Sequence, residues 1–124
     1  MDKLTITSLT TTRVNILNLK EYDNIQLHVT INRNTTKVSA NSENSYFSGD
    51  YTATMIRTDE TPENRTFLVE YSIHANFTCN NPQATPESIV SLTTAEFYPH
   101  LRSGVSAIMG ASGIHPILLP PTAL

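Results

Sequence analysis

The sequence has few of the residues from which metal sites and reactive centres are usually built. Among 124 residues there is one cysteine, Cys79, and there is no tryptophan. A lone cysteine excludes an internal disulfide and a zinc site made of cysteines within one chain, and it fits a reducing compartment. The four histidines show no spacing typical of a metal pair, and the four glycines form no phosphate-binding loop. We therefore expect no metal, no cofactor and no enzymatic activity.

Charge and long apolar runs are scarce as well. Eight Lys and Arg residues against eleven Asp and Glu residues give a net charge of −3, and the basic residues are scattered along the chain. Nucleic acid is therefore not an expected partner. No apolar run approaches the roughly 18 residues of a membrane-spanning helix, and the first residues lack the apolar block of a signal peptide. We expect a cytoplasmic protein that does not insert into membranes.

Alternation of apolar and polar residues predicts four β-strands. Residues 4–19 form the first strand, with a bulge or bend around 10–12 where the alternation is imperfect. The second strand runs from Ile25 to Ile31 and the third from Asp50 to Arg57. A loop rich in Asn, Ser and Thr is predicted over 34–49, with an earlier start of the third strand at Tyr46 and Phe47 as the alternative. The fourth strand has the most regular apolar stripe, which consists of Phe67, Val69, Tyr71, Ile73, Ala75 and Phe77.

A helical region is predicted after the strands. The residues Thr-Pro-Glu at 85–87 are typical of a helix start, and they predict a short helical turn over 88–92. The main helix is predicted over 95–112, with Pro99 in its first turn and Gly113 as its stop. Its apolar stripe consists of Phe97, Leu101, Val105 and Ile108.

Four strands followed by a helix predict a single domain over residues 1–124, of the α+β class. We expect two layers, with the main helix packed on one face of a four-stranded antiparallel sheet. Such a sheet is about 19 Å wide and one helix covers about 10 to 12 Å, so part of the apolar face lacks a partner. Self-association would cover it. The alternative is cover within one chain by residues 82–94 and by the extended, apolar, proline-rich segment 114–121.

Residues 96–121 resemble a known family. The run Glu-Phe-Tyr-Pro-His-Leu-Arg at 96–102 is followed, from Gly113 to Pro121, by an approximate Gly-x-x-Pro-x-Leu-x-Leu-x-Pro pattern. In these features the chain resembles the SecB family of export chaperones, whose main helix opens with an aromatic-Pro-aromatic-x-Arg run. The four strands also match that family in number, order and rough length, so the resemblance spans nearly the whole chain.

The resemblance implies an ATP-independent holdase that binds non-native client polypeptides in apolar grooves. It also implies a cytoplasmic homo-oligomer, a dimer of dimers with the main helices between two eight-stranded sheets. The client-binding residues that it implies are Ile114, Ile117, Leu118 and Leu119. The oligomer-interface residues are Val69, Tyr71, Ile73, Phe97, Leu101, Val105 and Ile108, for which core packing is the alternative.

The sequence also departs from the family. In the SecB family, acidic residues of strands one and four face the SecA motor. In this sequence, Arg13 and Leu17 stand near the strand-one positions. Leu68 and Glu70 are left as candidate translocase contacts, and this departure argues against SecA docking. The sequence ends at Leu124, before the family's second long helix, so we expect the groove to lack one wall. The second hypothesis is therefore a dedicated interaction protein, such as an antitoxin-guarding chaperone or a phage-associated subunit.

Overall fold

The computed structural model describes residues 1–18 and 26–113. The described residues form strands β1 (Leu4–Asn18), β2 (Leu27–Ala40), β3 (Ser45–Arg57) and β4 (Phe67–Cys79), a 3-10 turn at Pro62–Asn64 and one helix, α1 (Val90–Ala111). The strands make one antiparallel sheet in the order β1-β4-β3-β2. The prediction of an α+β chain, with a helix packed on a four-stranded antiparallel sheet, is confirmed.

The core lies between α1 and one face of β3 and β4. Successive strand residues point to opposite faces, so the odd-numbered positions of both strands face the helix and are buried, with Tyr71 partly exposed. The ring of Phe97 stacks on Tyr51, at 4.5 Å between centroids, and lies 5.3 Å from that of Phe77. Of the predicted helix stripe, only Ile108 keeps partial exposure. Aromatic contacts therefore anchor α1 to the middle of the sheet.

Strand β1 lies at one edge of the sheet. Its register with β4 shifts between Ile6 and Ser8 and again between Thr11 and Arg13, so the predicted bulge around 10–12 is confirmed. On its core-facing side Leu9 is 37% exposed and Val14 is 47% exposed. This is the part of the apolar face that the width of a single helix does not reach.

Strand β2 differs most from the prediction. Its predicted first residue, Ile25, lies outside the described residues. The strand continues past Ile31 to Ala40, so most of the predicted loop over 34–49 is wrong. The turn is confined to residues 41–44, where the carboxamide oxygen of Asn41 accepts hydrogen bonds from two backbone N–H groups. Pairing with β3 outweighs the low strand preference of Asn, because strand propensity depends strongly on tertiary context.

The start of the helix also differs from the prediction. A single helix begins at Val90, in place of a short turn over 88–92 followed by a separate helix. Thr85 does not cap it, because Ile89 is the N-cap residue and Thr85 bonds to Ser88.

The predicted position of Pro99 in the first turn is wrong as well. Pro99 lies inside α1, where it has no N–H for the carbonyl of Ala95. Both residues are exposed, so water can satisfy that carbonyl. The predicted stop is confirmed, since α1 ends at Ala111 and Gly113 has a φ of 75°, a conformation that favours glycine.

Candidate functional site

A cleft with a volume of about 240 Å³ opens between β2 and the start of α1. Its lining residues are Arg33, Asn34 and Thr35 of β2 with Pro86, Glu87, Val90 and Thr93. We call it the β2–α1 cleft. Pockets for drug-sized ligands measure roughly 300 to 1,000 Å³, so this cleft suits one large side chain of a polypeptide better than a cofactor.

The walls of the β2–α1 cleft combine apolar surface with both signs of charge. Val90 is 50% exposed, so about half of its side chain can contact a ligand in the cleft. Arg33 and Glu87 are exposed at the cleft, the first on the strand and the second ahead of the helix. An apolar side chain of a ligand can therefore be buried against Val90. Polar groups next to it on the ligand can contact the guanidinium of Arg33 or the carboxylate of Glu87.

Hydrogen bonds hold the structure around the cleft. The backbone N–H of Thr85 donates to Ser88 Oγ at 2.8 Å and that of Ser88 donates to Thr85 Oγ1 at 3.1 Å, which fixes the turn before α1. At the strand side the hydroxyl groups of Thr35 and Tyr51 lie 2.7 Å apart. Burial raises the pKa of Tyr51, so this phenol stays protonated. The cleft is thus built on rigid elements.

Strand β2 supplies an edge as well as a wall. It ends the strand order, and among the described residues only β3 pairs with it. Alternate backbone N–H and C=O groups of an edge strand point away from the sheet, where they can pair with an added extended segment. The edge and the cleft lie side by side, because Arg33 to Thr35 belong to both.

The predicted client-binding residues Ile114, Ile117, Leu118 and Leu119 lie outside the described residues. Their role stays a prediction.

The predicted interface residues divide into two groups. The chain itself buries Val69, Ile73, Phe97, Leu101 and Val105, each with an exposure of 2% or less. Tyr71 and Ile108 keep part of their surface. At Gly104 a Cβ atom would overlap the ring of Tyr71, so α1 approaches β4 closely there. Of this set, only Tyr71 and Ile108 therefore have surface left for a second chain.

Leu68 and Glu70 lie on the sheet face that points away from α1. Leu68 pairs with Leu17 on one side and Ile56 on the other, which makes an apolar row of half-buried side chains. The carboxylate of Glu70 accepts a hydrogen bond from Asn15 Nδ2 at 2.8 Å and lies 3.5 Å from Arg13 Nη1. Arg13 thus offsets the charge of the carboxylate considered for the translocase.

Within residues 1–18 and 26–113, no group of three His, Cys, Asp or Glu side chains is arranged to hold a metal ion. In that same part of the chain, no helix is long and apolar enough to cross a membrane.

The sequence analysis missed the β2–α1 cleft. A signal for Val90 was present, since it stands seven residues before Phe97 and so continues the spacing of the apolar stripe. Arg33, Asn34 and Thr35 could not be placed beside it, because β2 was expected to end at Ile31.

Comparison with known proteins identifies the fold. No protein-family model matches the sequence, and no curated protein matches it. Among solved structures, the chain is similar to the SecB-like chaperone Rv1957 of Mycobacterium tuberculosis, in complex with a ChAD peptide from the Rv1956 HigA1 antitoxin. The TM-score is 0.66 at 13% sequence identity, over 94% of this chain and 89% of that chain. The predicted resemblance to the SecB family is thus confirmed at the level of the fold: the chain has a SecB-like fold.

Proposed function

We propose that this protein is a SecB-like molecular chaperone, a holdase that binds non-native polypeptide segments without ATP. The observation that carries the proposal is the β2–α1 cleft on a SecB-like fold. In this cleft the exposed side chain of Val90 stands beside β2, an edge strand that pairs only with β3 among the described residues. Non-native segments expose alternating apolar side chains and unpaired backbone groups. An apolar pocket next to a sheet edge can bind both.

In this proposal a client segment lies extended along Arg33 to Thr35, the part of β2 beside the cleft. Its backbone pairs with the outward N–H and C=O groups of the strand, and one apolar side chain enters the cleft against Val90. Arg33 and Glu87 accept flanking polar groups of either charge, so the site selects for an extended apolar segment and not for one sequence. The predicted residues Ile114, Ile117, Leu118 and Leu119 would extend the apolar surface.

Self-association belongs to the same proposal, as a dimer of dimers. Two surfaces support it. The first is the strip of Leu9, Val14 and Tyr71, where the core face of β1 and β4 is left partly exposed. The second is the solvent side of α1, whose exposed residues include the small side chains Ser91, Ala95, Ser103, Ala107 and Ala111. Small side chains allow a second helix to pack at a short distance.

The alternative is a chaperone dedicated to one partner, such as an antitoxin. The observation that favours it is the antitoxin peptide carried by the M. tuberculosis structure. Either function places the protein in the cytoplasm. If it serves protein export, Leu68 and Glu70 are the residues we propose for contact with a SecA-type motor, although Arg13 beside Glu70 works against such docking.

The test compares the wild type with Val90→Asp and with a matched control, Val38→Asp. Val38 is 66% exposed and lies on β2 at the register shift, outside the cleft. Burial of the exposed half of a valine contributes about 1 kcal/mol, so we expect Val90→Asp to weaken binding of a fluorescent extended client peptide by about five- to tenfold. Val38→Asp should bind like the wild type. Circular dichroism and the solution mass check fold and assembly.

Two results would distinguish a wrong proposed function from a wrong proposed binding site. If the wild type at molar excess does not suppress aggregation of a denatured client, the holdase proposal is wrong. If the wild type suppresses aggregation and Val90→Asp suppresses it equally well, clients bind at another surface of the protein. Co-purification from the native host distinguishes the alternative, because a dedicated chaperone retains one stoichiometric partner and a general holdase retains a mixture.

A further inference from the structure

Three side chains form a hydrogen-bonded chain on the sheet face that points away from α1. Asp50 Oδ1 lies 2.9 Å from His74 Nδ1, and Ser48 Oγ lies 3.3 Å from His74 Nε2. The carboxylate is thus at Nδ1 of the imidazole and the hydroxyl is at Nε2. Catalytic triads with a serine nucleophile have this same arrangement in unrelated folds. We call these three residues the Ser48 relay.

The strands hold the Ser48 relay in place. Ser48 and Asp50 are two residues apart on β3 and therefore share a face, and His74 is the register partner of Asp50 on β4. The carboxylate fixes which imidazole nitrogen carries the proton, so Nε2 is left to accept the hydroxyl proton of Ser48. Ser48 is half-buried and the side chain of His74 is 34% exposed, so a small reagent can reach the relay from solvent.

Groups that could stabilise an oxyanion also lie nearby. On β2, Thr36 is the register partner of Ser48 and Asn34 is that of Asp50. Both are exposed on the same face as the relay, and each side chain can donate a hydrogen bond. A tetrahedral intermediate at Ser48 would form between these donors and the imidazole.

We propose that Ser48 is a reactive serine that accepts an acyl group from an activated ester. Ser48 Oγ attacks the acyl carbon while His74 Nε2 takes the hydroxyl proton. The bond between the acyl carbon and the leaving oxygen then breaks, and the imidazolium returns the proton to that oxygen. The products are an acyl-serine and an alcohol or phenol. Because the side chains of His74 and Asp50 are 34% and 61% exposed, water reaches this face, and we expect stoichiometric acylation with slow turnover. The proposal is independent of polypeptide binding.

The experiment treats the full chain with p-nitrophenyl acetate and maps the acetyl group by peptide mass spectrometry. We expect a burst of about one p-nitrophenolate per chain, with the acetyl group on Ser48. Ser48→Ala should abolish the burst. His74→Ala should lower its rate by about 100-fold, and added imidazole should restore part of it, which a purely structural role would not allow. Asp50→Asn should lower the rate by about tenfold or more, because the imidazole loses the carboxylate that orients it.

Ser72 offers a matched control. It lies on the same face, and its hydroxyl is 2.7 Å from that of Thr52, with no imidazole in the pair. We expect Ser72 to stay unlabelled and Ser72→Ala to react like the wild type. Equal labelling of Ser48 and Ser72, or an unchanged burst in Ser48→Ala, would overturn the proposal. Because none of these side chains belongs to the buried core, circular dichroism should show that each variant folds.

Discussion

Truncation of Phe97 tests whether α1 is anchored to the sheet through its aromatic contacts. Phe97 is 1% exposed, and its ring stacks on Tyr51 with an interplanar angle of 18° and meets Phe77 at 56°. Removal of a buried phenylalanine side chain costs about 3 to 5 kcal/mol, of which each ring pair contributes roughly 0.5 to 1.5 kcal/mol. A domain of 124 residues has about 6 to 18 kcal/mol of stability in total. Phe97→Ala should therefore lose a large share of it.

Urea denaturation followed by circular dichroism measures the effect, at one fixed protein concentration because self-association would add to stability. With a slope of roughly 1 to 3 kcal/mol per molar urea, the midpoint of Phe97→Ala should fall by about 1 to 5 M. Val90→Ala, at a half-exposed position of the same helix, should change stability by about 0.5 kcal/mol or less. A loss below about 1 kcal/mol for Phe97→Ala would refute the reasoning, because α1 would then be anchored by other contacts.

Two further predictions concern the β3–β4 turn and the helix contact. Partial burial acts to raise the pKa of Glu60. Hydrogen bonds to its carboxylate outweigh this and lower the pKa below its ordinary value of 4.5. They come from Thr66, whose backbone nitrogen lies 3.0 Å from Oε1, and from the backbone N–H of Phe67. The stability that Glu60 contributes is therefore complete above pH 4.5 and is lost as the pH falls through its folded pKa, so acid titration of unfolding should show a weaker pH dependence for Glu60→Gln. Gly104→Ala places a Cβ atom against the ring of Tyr71 and should cost about 1 to 3 kcal/mol in the same urea assay; an unchanged midpoint would show that the helix can move aside.

The parts of the fold that sequence predicted well depend on local periodicity. The alternation over Phe67 to Phe77 identified β4, and the spacing of Phe97, Leu101 and Val105 identified the buried side of α1. Each signal is contained in a single element, so no partner needs to be known. The parts that sequence did not predict depend on pairing between elements. Asn34 to Thr36 have the composition of a loop, and they form a strand because they pair with β3.

The candidate sites follow the same division. Val90 carried a local signal, but the β2–α1 cleft exists because β2 extends nine residues beyond Ile31, to Ala40, and so reaches the helix start. The Ser48 relay depends on register alone, since a shift of β4 by one residue would turn His74 to the other face.

By itself, the sequence determined the layers of this protein, because binary patterning decides which side of each strand and helix is apolar. It also determined the resemblance to SecB, which rests on the motif at 96–121. Only the tertiary structure decided which apolar residues one helix covers, where the uncovered edge meets a cleft, and that Asp50, His74 and Ser48 stand in hydrogen-bonding order. The physical reason is that register and coverage arise from pairing between distant segments, and local pattern does not encode them.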